Sequence, residues 1–313
     1  MKSLDKLDLS NLELFQSITQ NFYLDINHHA LYFVNDYTRW DKTTSERNDM
    51  KYGAMNLPTK PIVEEIEVLG KLGFDYIELT IDAPEATPEI IQKDMNKIKE
   101  VLSNHQLEIM GHLPTFISIA DLYESIRKAS IDENLKALEA GVELGIKKFV
   151  IHPGTIRGIA RQVKNKANNY AEKSLSTIFK KADELNVTLC IENMFPETHA
   201  LTEPFEFEKI FQKYPGLRFT LDIAHAHIGT KKNRSPEFIR RYADKLSHLH
   251  ISDNYGKDDS HLPVGAGMIY FWKIFKELKM TGYDETMTLE VFSRDRDYLK
   301  ISKDKIKQMW ENS

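Results

Sequence analysis

The sequence predicts an α/β fold, a single (β/α)8 TIM barrel with an N-terminal extension, and three observations carry that reading. From Lys51 onward, short runs of β-type residues alternate with longer runs of helical period, as expected of a parallel sheet with crossover helices. The alternation repeats eight times over roughly 250 residues, the size of one closed barrel. No linker rich in Pro, Gly or Ser divides the units.

The elements follow in order. The first strand is predicted over Tyr52–Leu57, and a helix over Pro61–Leu72, where Ile62, Ile66 and Leu69 recur at helical spacing. Tyr76–Ile81 is the second strand, and Thr87-Pro88 opens the next helix as a cap followed by an N1 proline. Glu108–His112 is the third strand, with a helix over Ile131–Leu144. Lys148–His152, stopped by Pro153-Gly154, is the fourth, and a long helix covers Asn168–Leu185. Val187–Glu192 precedes a helix near Pro204–Lys213, and Arg218–Asp222 precedes one near Pro236–Lys245. Ser247–Ile251 is followed by a helix near Tyr270–Leu278, and Thr286–Val291 by the closing helix Asp297–Trp310. Residues 50–313 thus form the barrel. Residues 1–49 form the extension, with a weak amphipathic helix over Leu4–Ile18, packing on the barrel or covering part of its mouth.

Composition narrows the functional classes. Apolar residues make up 41% and charged residues 28% of the 313, enough for a large core in a globular protein. A net charge of −5 offers no broad basic surface for nucleic acid or anionic membrane. The single cysteine, Cys190, lies in an apolar strand and reads as a buried thiol in a reducing compartment. The first residues are polar with no apolar signal core, and no stretch approaches the roughly 18 apolar residues of a membrane span. The expected location is cytoplasmic.

Active sites of such barrels form where the C-terminal ends of the strands converge. Here six successive strands end in a metal-ligand type: His112, His152, Glu192, Asp222, His250 and Glu290. Each one alone has a plain structural reading. Together, Glu192, Asp222 and Glu290 would be three buried carboxylates aimed at one point, an arrangement costing several kcal/mol unless a positive charge sits between them. A divalent cation held by Glu192, Asp222, His250 and Glu290 is the economical solution. His225 follows Asp222 closely enough to face the same mouth, and Asp259 and His261 lie in the loop after strand seven. Those two could clamp the site or a further ion.

These residues carry a resemblance. His152-Pro153-Gly154, Ile191-Glu192-Asn193, Leu221-Asp222-Ile223-Ala224-His225 and His248-Leu249-His250-Ile251-Ser252-Asp253 resemble the xylose-isomerase-like barrel superfamily. Asp259-Ser260-His261-Leu262-Pro263-Val264-Gly265-Ala266-Gly267 and Leu289-Glu290 do likewise, so the likeness spans about Lys51 to Tyr298. That group includes sugar-phosphate isomerases and epimerases, ketose 3-epimerases and endonuclease IV. The epimerase-like members imply one metal on Glu192, Asp222, His250 and Glu290, with His225 on substrate. The endonuclease implies three zinc ions, adding His112, His152, His225, Asp259 and His261.

Three features favour the sugar enzymes of carbohydrate metabolism. Thr115 stands where the endonuclease has a DNA-inserting tyrosine, and Met194-Phe195-Pro196-Glu197 resembles an isomerase loop. The loop Tyr255–His261 sets one lysine against two aspartates, a poor surface for phosphates. The leading expectation is a metal-dependent isomerase or epimerase of a sugar or sugar-like hydroxy-carbonyl compound. It would bind one Zn, Mn, Mg or Co ion, up to three at most, and Glu192 and Glu290 would exchange a carbon-bound proton through an ene-diolate. The alternatives are endonuclease IV-like cleavage of abasic DNA and a non-catalytic sugar-binding barrel. Glu78 is read as a substrate contact or a lysine's partner. Phe195 and Tyr255, with Phe116 and Phe292, are candidates for an apolar pocket wall, Arg157 and Arg294 for an anion contact. His28, His29 and His199 are assigned to surface or loop, and a homo-oligomer is allowed.

Overall fold

The computed structural model describes residues 50–196 and 198–313. The helix expected over Leu4–Ile18, the packing of residues 1–49, His28, His29 and Glu197 all lie outside the described residues.

Eight parallel strands close into a barrel in sequence order. They are β1 (Lys51–Met55), β2 (Tyr76–Thr80), β3 (Glu108–His112), β4 (Lys148–Ile151), β5 (Thr188–Glu192), β6 (Arg218–Asp222), β7 (Leu246–Ile251) and β8 (Thr286–Leu289). Closure is made by β1 against β8, with Lys51 opposite Thr286 and Ala54 opposite Leu289. One helix follows each strand: α1 (Ile62–Lys71), α2 (Pro88–His105), α3 (Glu124–Leu144), α4 (Lys164–Glu184), α5 (Pro204–Lys213), α6 (Ser235–Tyr242), α7 (Phe271–Met280) and α8 (Asp297–Asn312).

Local chemistry explains the boundaries. Thr87 caps α2 by accepting a hydrogen bond from the Ile90 amide, and Pro88 occupies the first turn, where its missing N–H costs nothing. Gly145 ends α3 at a φ of 105°, the left-handed conformation that glycine adopts without strain. Two helices start earlier than their apolar period suggests. The first turns of α3 bury nothing before Ser130, and Ile126 is half exposed, so no apolar stripe marks them. The buried face of α4 begins with Ala167, Ala171 and Ser174, residues too small or polar to register as a stripe.

Ile66, Leu69, Ile98, Phe149, Ile178, Leu221, Leu249 and Phe275 fill the layer between strands and helices. The barrel interior is polar by contrast. Alternation along β2 puts Tyr76, Glu78 and Thr80 on one face, and all three are buried. Tyr76 meets Thr288 of β8 through their hydroxyls at 2.8 Å, so that face is the lumen.

No helix among the described residues is long and apolar enough to cross a membrane.

Candidate metal centre

The strand order brings the predicted residues to one mouth. His112, Glu192 and Asp222 are the last residues of β3, β5 and β6, His250 is the penultimate residue of β7, and His152 and Glu290 follow the last residues of β4 and β8. Glu192 is the hub. Its Oε2 lies 3.2 Å from His152 Nε2 and 3.5 Å from His112 Nε2, and its Oε1 lies 3.0 Å from His225 Nδ1 and 3.3 Å from His250 Nδ1. His250 Nδ1 is also 3.0 Å from Glu290 Oε1. Asp222 Oδ2 is 3.6 Å from His225 Nδ1, and Asp259 Oδ2 is 3.1 Å from both His225 Nε2 and His261 Nε2. His261 Nδ1 closes the circle, 3.6 Å from Glu290 Oε2. All nine candidates therefore form one connected cluster.

Backbone contacts fix the cluster. The Asn193 amide spans β5 and β6, its Oδ1 accepting from the Asp222 N–H at 2.8 Å and its Nδ2 donating to the Asp222 carbonyl at 2.9 Å. His112 Nδ1 lies 2.8 Å from the Leu113 carbonyl, so that nitrogen carries the proton and Nε2 is left to face Glu192. The loop holding Asp259 and His261 is folded around buried Asp253, whose carboxylate accepts from the Asn254, Gly265 and Ile269 amides at 2.9, 2.9 and 3.1 Å. Gly267 lies against that carboxylate. A Cβ there would sit 2.4 Å from Asp253 Oδ1 and 2.5 Å from the Asn254 carbonyl. Gly267→Ala is expected to cost about 1–3 kcal/mol, lowering Tm by roughly 2–10 °C in a thermal melt.

Electrostatics follow from burial and crowding. Burial pushes the Asp222 carboxyl up to about 7, with Glu290 and Glu192 adding to the rise. Burial also works to raise Glu192, but the imidazoles of His250 and His152 hold it well below the usual carboxylate range. His250 and His225 are pushed well above the ordinary histidine value despite burial, by Glu290 and Glu78 for the first and by Asp222 and Asp259 for the second. His261, against the effect of burial, is raised to about 9 by Asp259.

The profile of the family described as xylose isomerase-like TIM barrel matches residues 66–311. The chain belongs to that family. An uncharacterized protein of Methanocaldococcus jannaschii is 27% identical, over 86% of this chain and 96% of its own length. Probable endonuclease 4 of Aquifex aeolicus is 26% identical, over 66% of this chain and 74% of its own. The crystal structure of a D-tagatose 3-epimerase-like protein aligns with a TM-score of 0.72 and 26% identity, covering 84% of this chain and 97% of that one. Fructoselysine 3-epimerase of Escherichia coli O157:H7 is 23% identical, over 74% of this chain and 86% of its own length.

Three buried atoms test whether this family member's residues fit a cation. Glu192 Oε1, Asp222 Oδ2 and His250 Nδ1 are shut off from solvent and, beyond their ion-pair contacts, make no well-aligned hydrogen bond among the described residues. They belong to one grouping whose ligand atoms all lie within 4.8 Å of one another. Unsatisfied buried acceptors are costly, and two carboxylate oxygens with an imidazole nitrogen are a donor set that divalent cations take. The residues fit. His112, His152 and Glu192 form a second such grouping, and His112, His250 and Glu290 a third.

A cavity of about 410 Å³ opens above the cluster. His112, His152, His225, Asp259, His261 and Glu290 line it, whereas Glu192, Asp222 and His250 lie beneath its floor. Phe116, Phe195 and Phe292 supply the expected apolar wall, and Arg157 is the cation on the described lining. Four side chains stand elsewhere than expected. Tyr255 is 56% exposed and off the lining, and Arg294 is also exposed and off it, because each side chain turns to solvent. Among the described residues Glu78 meets neither the cavity nor a lysine; it is buried in the lumen and accepts from two histidines. His199, assigned to surface or loop, is buried on the cavity wall, its ring 4.9 Å from that of Phe195. Burial lowers its pKa to about 3, so it is neutral there. Its only sequence signal was its nearness to the end of β5.

Proposed function

We propose that this chain is a divalent-metal-dependent isomerase or epimerase of a small sugar-like hydroxy-carbonyl compound. The observation that carries the reading is the convergence of Glu192 and Glu290 on His250 Nδ1, at 3.3 and 3.0 Å, at the base of a cavity sized for a small molecule. Glu192, Asp222, His250 and Glu290 would hold the cation, which when bound supplies Lewis-acid polarisation of adjacent carbonyl and hydroxyl oxygens. Glu290, on the cavity wall, and Glu192, just beneath the cavity floor among His112, His152 and His225, remove and return a proton at the carbon beside the carbonyl. An ene-diolate is the species between the two transfers. His225 orients a substrate oxygen, and the phenylalanine wall limits water around the reacting carbon. The 26% identity to a D-tagatose 3-epimerase-like protein across nearly its full length supports this choice of chemistry.

A panel of ketopentoses and ketohexoses, free and phosphorylated, incubated with Mn²⁺ in D₂O tests it. Deuterium is expected at the carbon next to the carbonyl, read by NMR, and EDTA should stop its entry. No exchange in any of them would argue against the reading.

The grouping of His112, His152 and Glu192 favours a second reading, multi-zinc cleavage of abasic DNA. Three tightly held zinc ions per chain and nicking of an abasic duplex would mark it. The described cavity lining is less suited to that polymer, since Arg157 is its one arginine and the raised His225 and His261 are both already paired with Asp259 at 3.1 Å.

A further inference from the structure

We infer that Glu78 is a positioning residue that presents His250 to the cation, by fixing which of its ring nitrogens carries the proton. The inference rests on the metal-dependent reading above. Glu78 stands on β2 and His250 on β7, separated around the barrel by β8 and β1, so the carboxylate reaches across the lumen. Its two oxygens serve two rings. Oε1 lies 3.0 Å from His250 Nε2 and Oε2 lies 2.9 Å from His248 Nε2. All three side chains are fully buried.

A carboxylate only accepts, so each of those ring nitrogens must donate. With its proton on Nε2, neutral His250 has a lone pair on Nδ1. That is the atom facing Glu192 and Glu290, and the one that makes no well-aligned hydrogen bond among the described residues. The opposite tautomer would turn an N–H toward the cation and leave Nε2 without a proton to give Glu78. His248 is satisfied on both sides, donating to Glu78 and taking the Thr286 hydroxyl on Nδ1 at 2.7 Å. The ring of His248, edge-on to that of His250 at 4.9 Å, also limits how far His250 can swing. A ligand imidazole held from behind by a carboxylate is both oriented and made more basic.

Two substitutions separate this role from simple packing. Glu78→Gln keeps the shape, but an amide offers one acceptor oxygen for two N–H groups and carries no charge. Glu78→Met fills the lumen and offers no acceptor at all. Mn²⁺ affinity of each purified protein, measured by titration calorimetry, is expected to weaken about 10-fold for Glu78→Gln and about 100-fold for Glu78→Met. The thermal melt of the metal-free proteins serves as the control for folding. In the parent chain loaded with Zn²⁺, ¹⁵N-histidine NMR should find His250 with its proton on Nε2 and none on Nδ1. Mn²⁺ affinity within twofold of the parent in Glu78→Gln, or a Zn²⁺-loaded His250 that keeps its proton on Nδ1, would overturn the inference. If Glu78→Met does not fold, the glutamine variant and the tautomer still decide. A parent chain that binds no divalent metal would instead overturn the proposed function.

Discussion

Glu192→Gln is expected to lower turnover by about 10³-fold or more and to erase the stabilisation that a divalent cation gives. Glu192 touches four imidazoles, those of His112, His152, His225 and His250, at 3.0–3.5 Å, and its Oε1 is one of the orphaned buried atoms. An amide keeps the volume but replaces one acceptor oxygen with a donor and removes the charge. It can neither take a carbon-bound proton nor compensate a cation. Metal at about 100 times its Kd stabilises a folded protein by about 2.7 kcal/mol, which raises Tm by roughly 5–10 °C. That rise should be present in the parent and absent in Glu192→Gln. Glu290→Gln should match the loss of turnover. Near-normal activity in either variant would remove that residue from the chemistry.

The metal-free protein is expected to lose stability as pH rises from 6.5 to 9, and added metal to stabilise it more over the same range. His225 and His250 are raised well above 6.5 and His261 to about 9. A histidine whose folded pKa is raised contributes stability that is complete below its unfolded value and lost as pH climbs through the folded one. Asp222, raised by burial from 3.8 to about 7, acts in the same direction, favouring the fold only while protonated. Glu192 acts oppositely, but its carboxyl is held below 4.5, so its contribution is already complete in this window. Buried His152, His199 and His248 are lowered below 6.5 and remain neutral throughout it. His261 alone accounts for on the order of 2–3 kcal/mol before solvent screening. A cation displaces the protons that destabilise its binding, so its effect grows as they leave. Melts in EDTA and in Mn²⁺ at four pH values measure both slopes. A metal-free Tm that is flat or rising from pH 6.5 to 9 would contradict this assignment of charge.

Much of this was legible from residue order, because a parallel barrel converts sequence position into place. Each strand ends at the same mouth, so reading the residues that end the strands located six members of the cluster, and His225, Asp259 and His261 followed from their nearness to those ends and from the family resemblance. The same logic failed where a partner is set by the lumen. Alternation turned Glu78 inward, but only closure of the barrel brings it to His248 and His250, 170 and 172 residues away. His199 was hidden because irregular loop backbone has no period from which burial can be read. The early turns of α3 and α4 escaped for a related reason, since exposed or small side chains leave no apolar stripe.

The central claim is that Glu192, Asp222, His250 and Glu290 jointly hold one divalent cation at the barrel mouth. A crystal grown with Mn²⁺, measured near the manganese absorption edge, tests it directly. One anomalous peak is expected about 2.0–2.3 Å from a carboxylate oxygen of each acid and from His250 Nδ1. No peak among those four, or a trio of peaks engaging His112, His152, His225 and His261 as well, would contradict it.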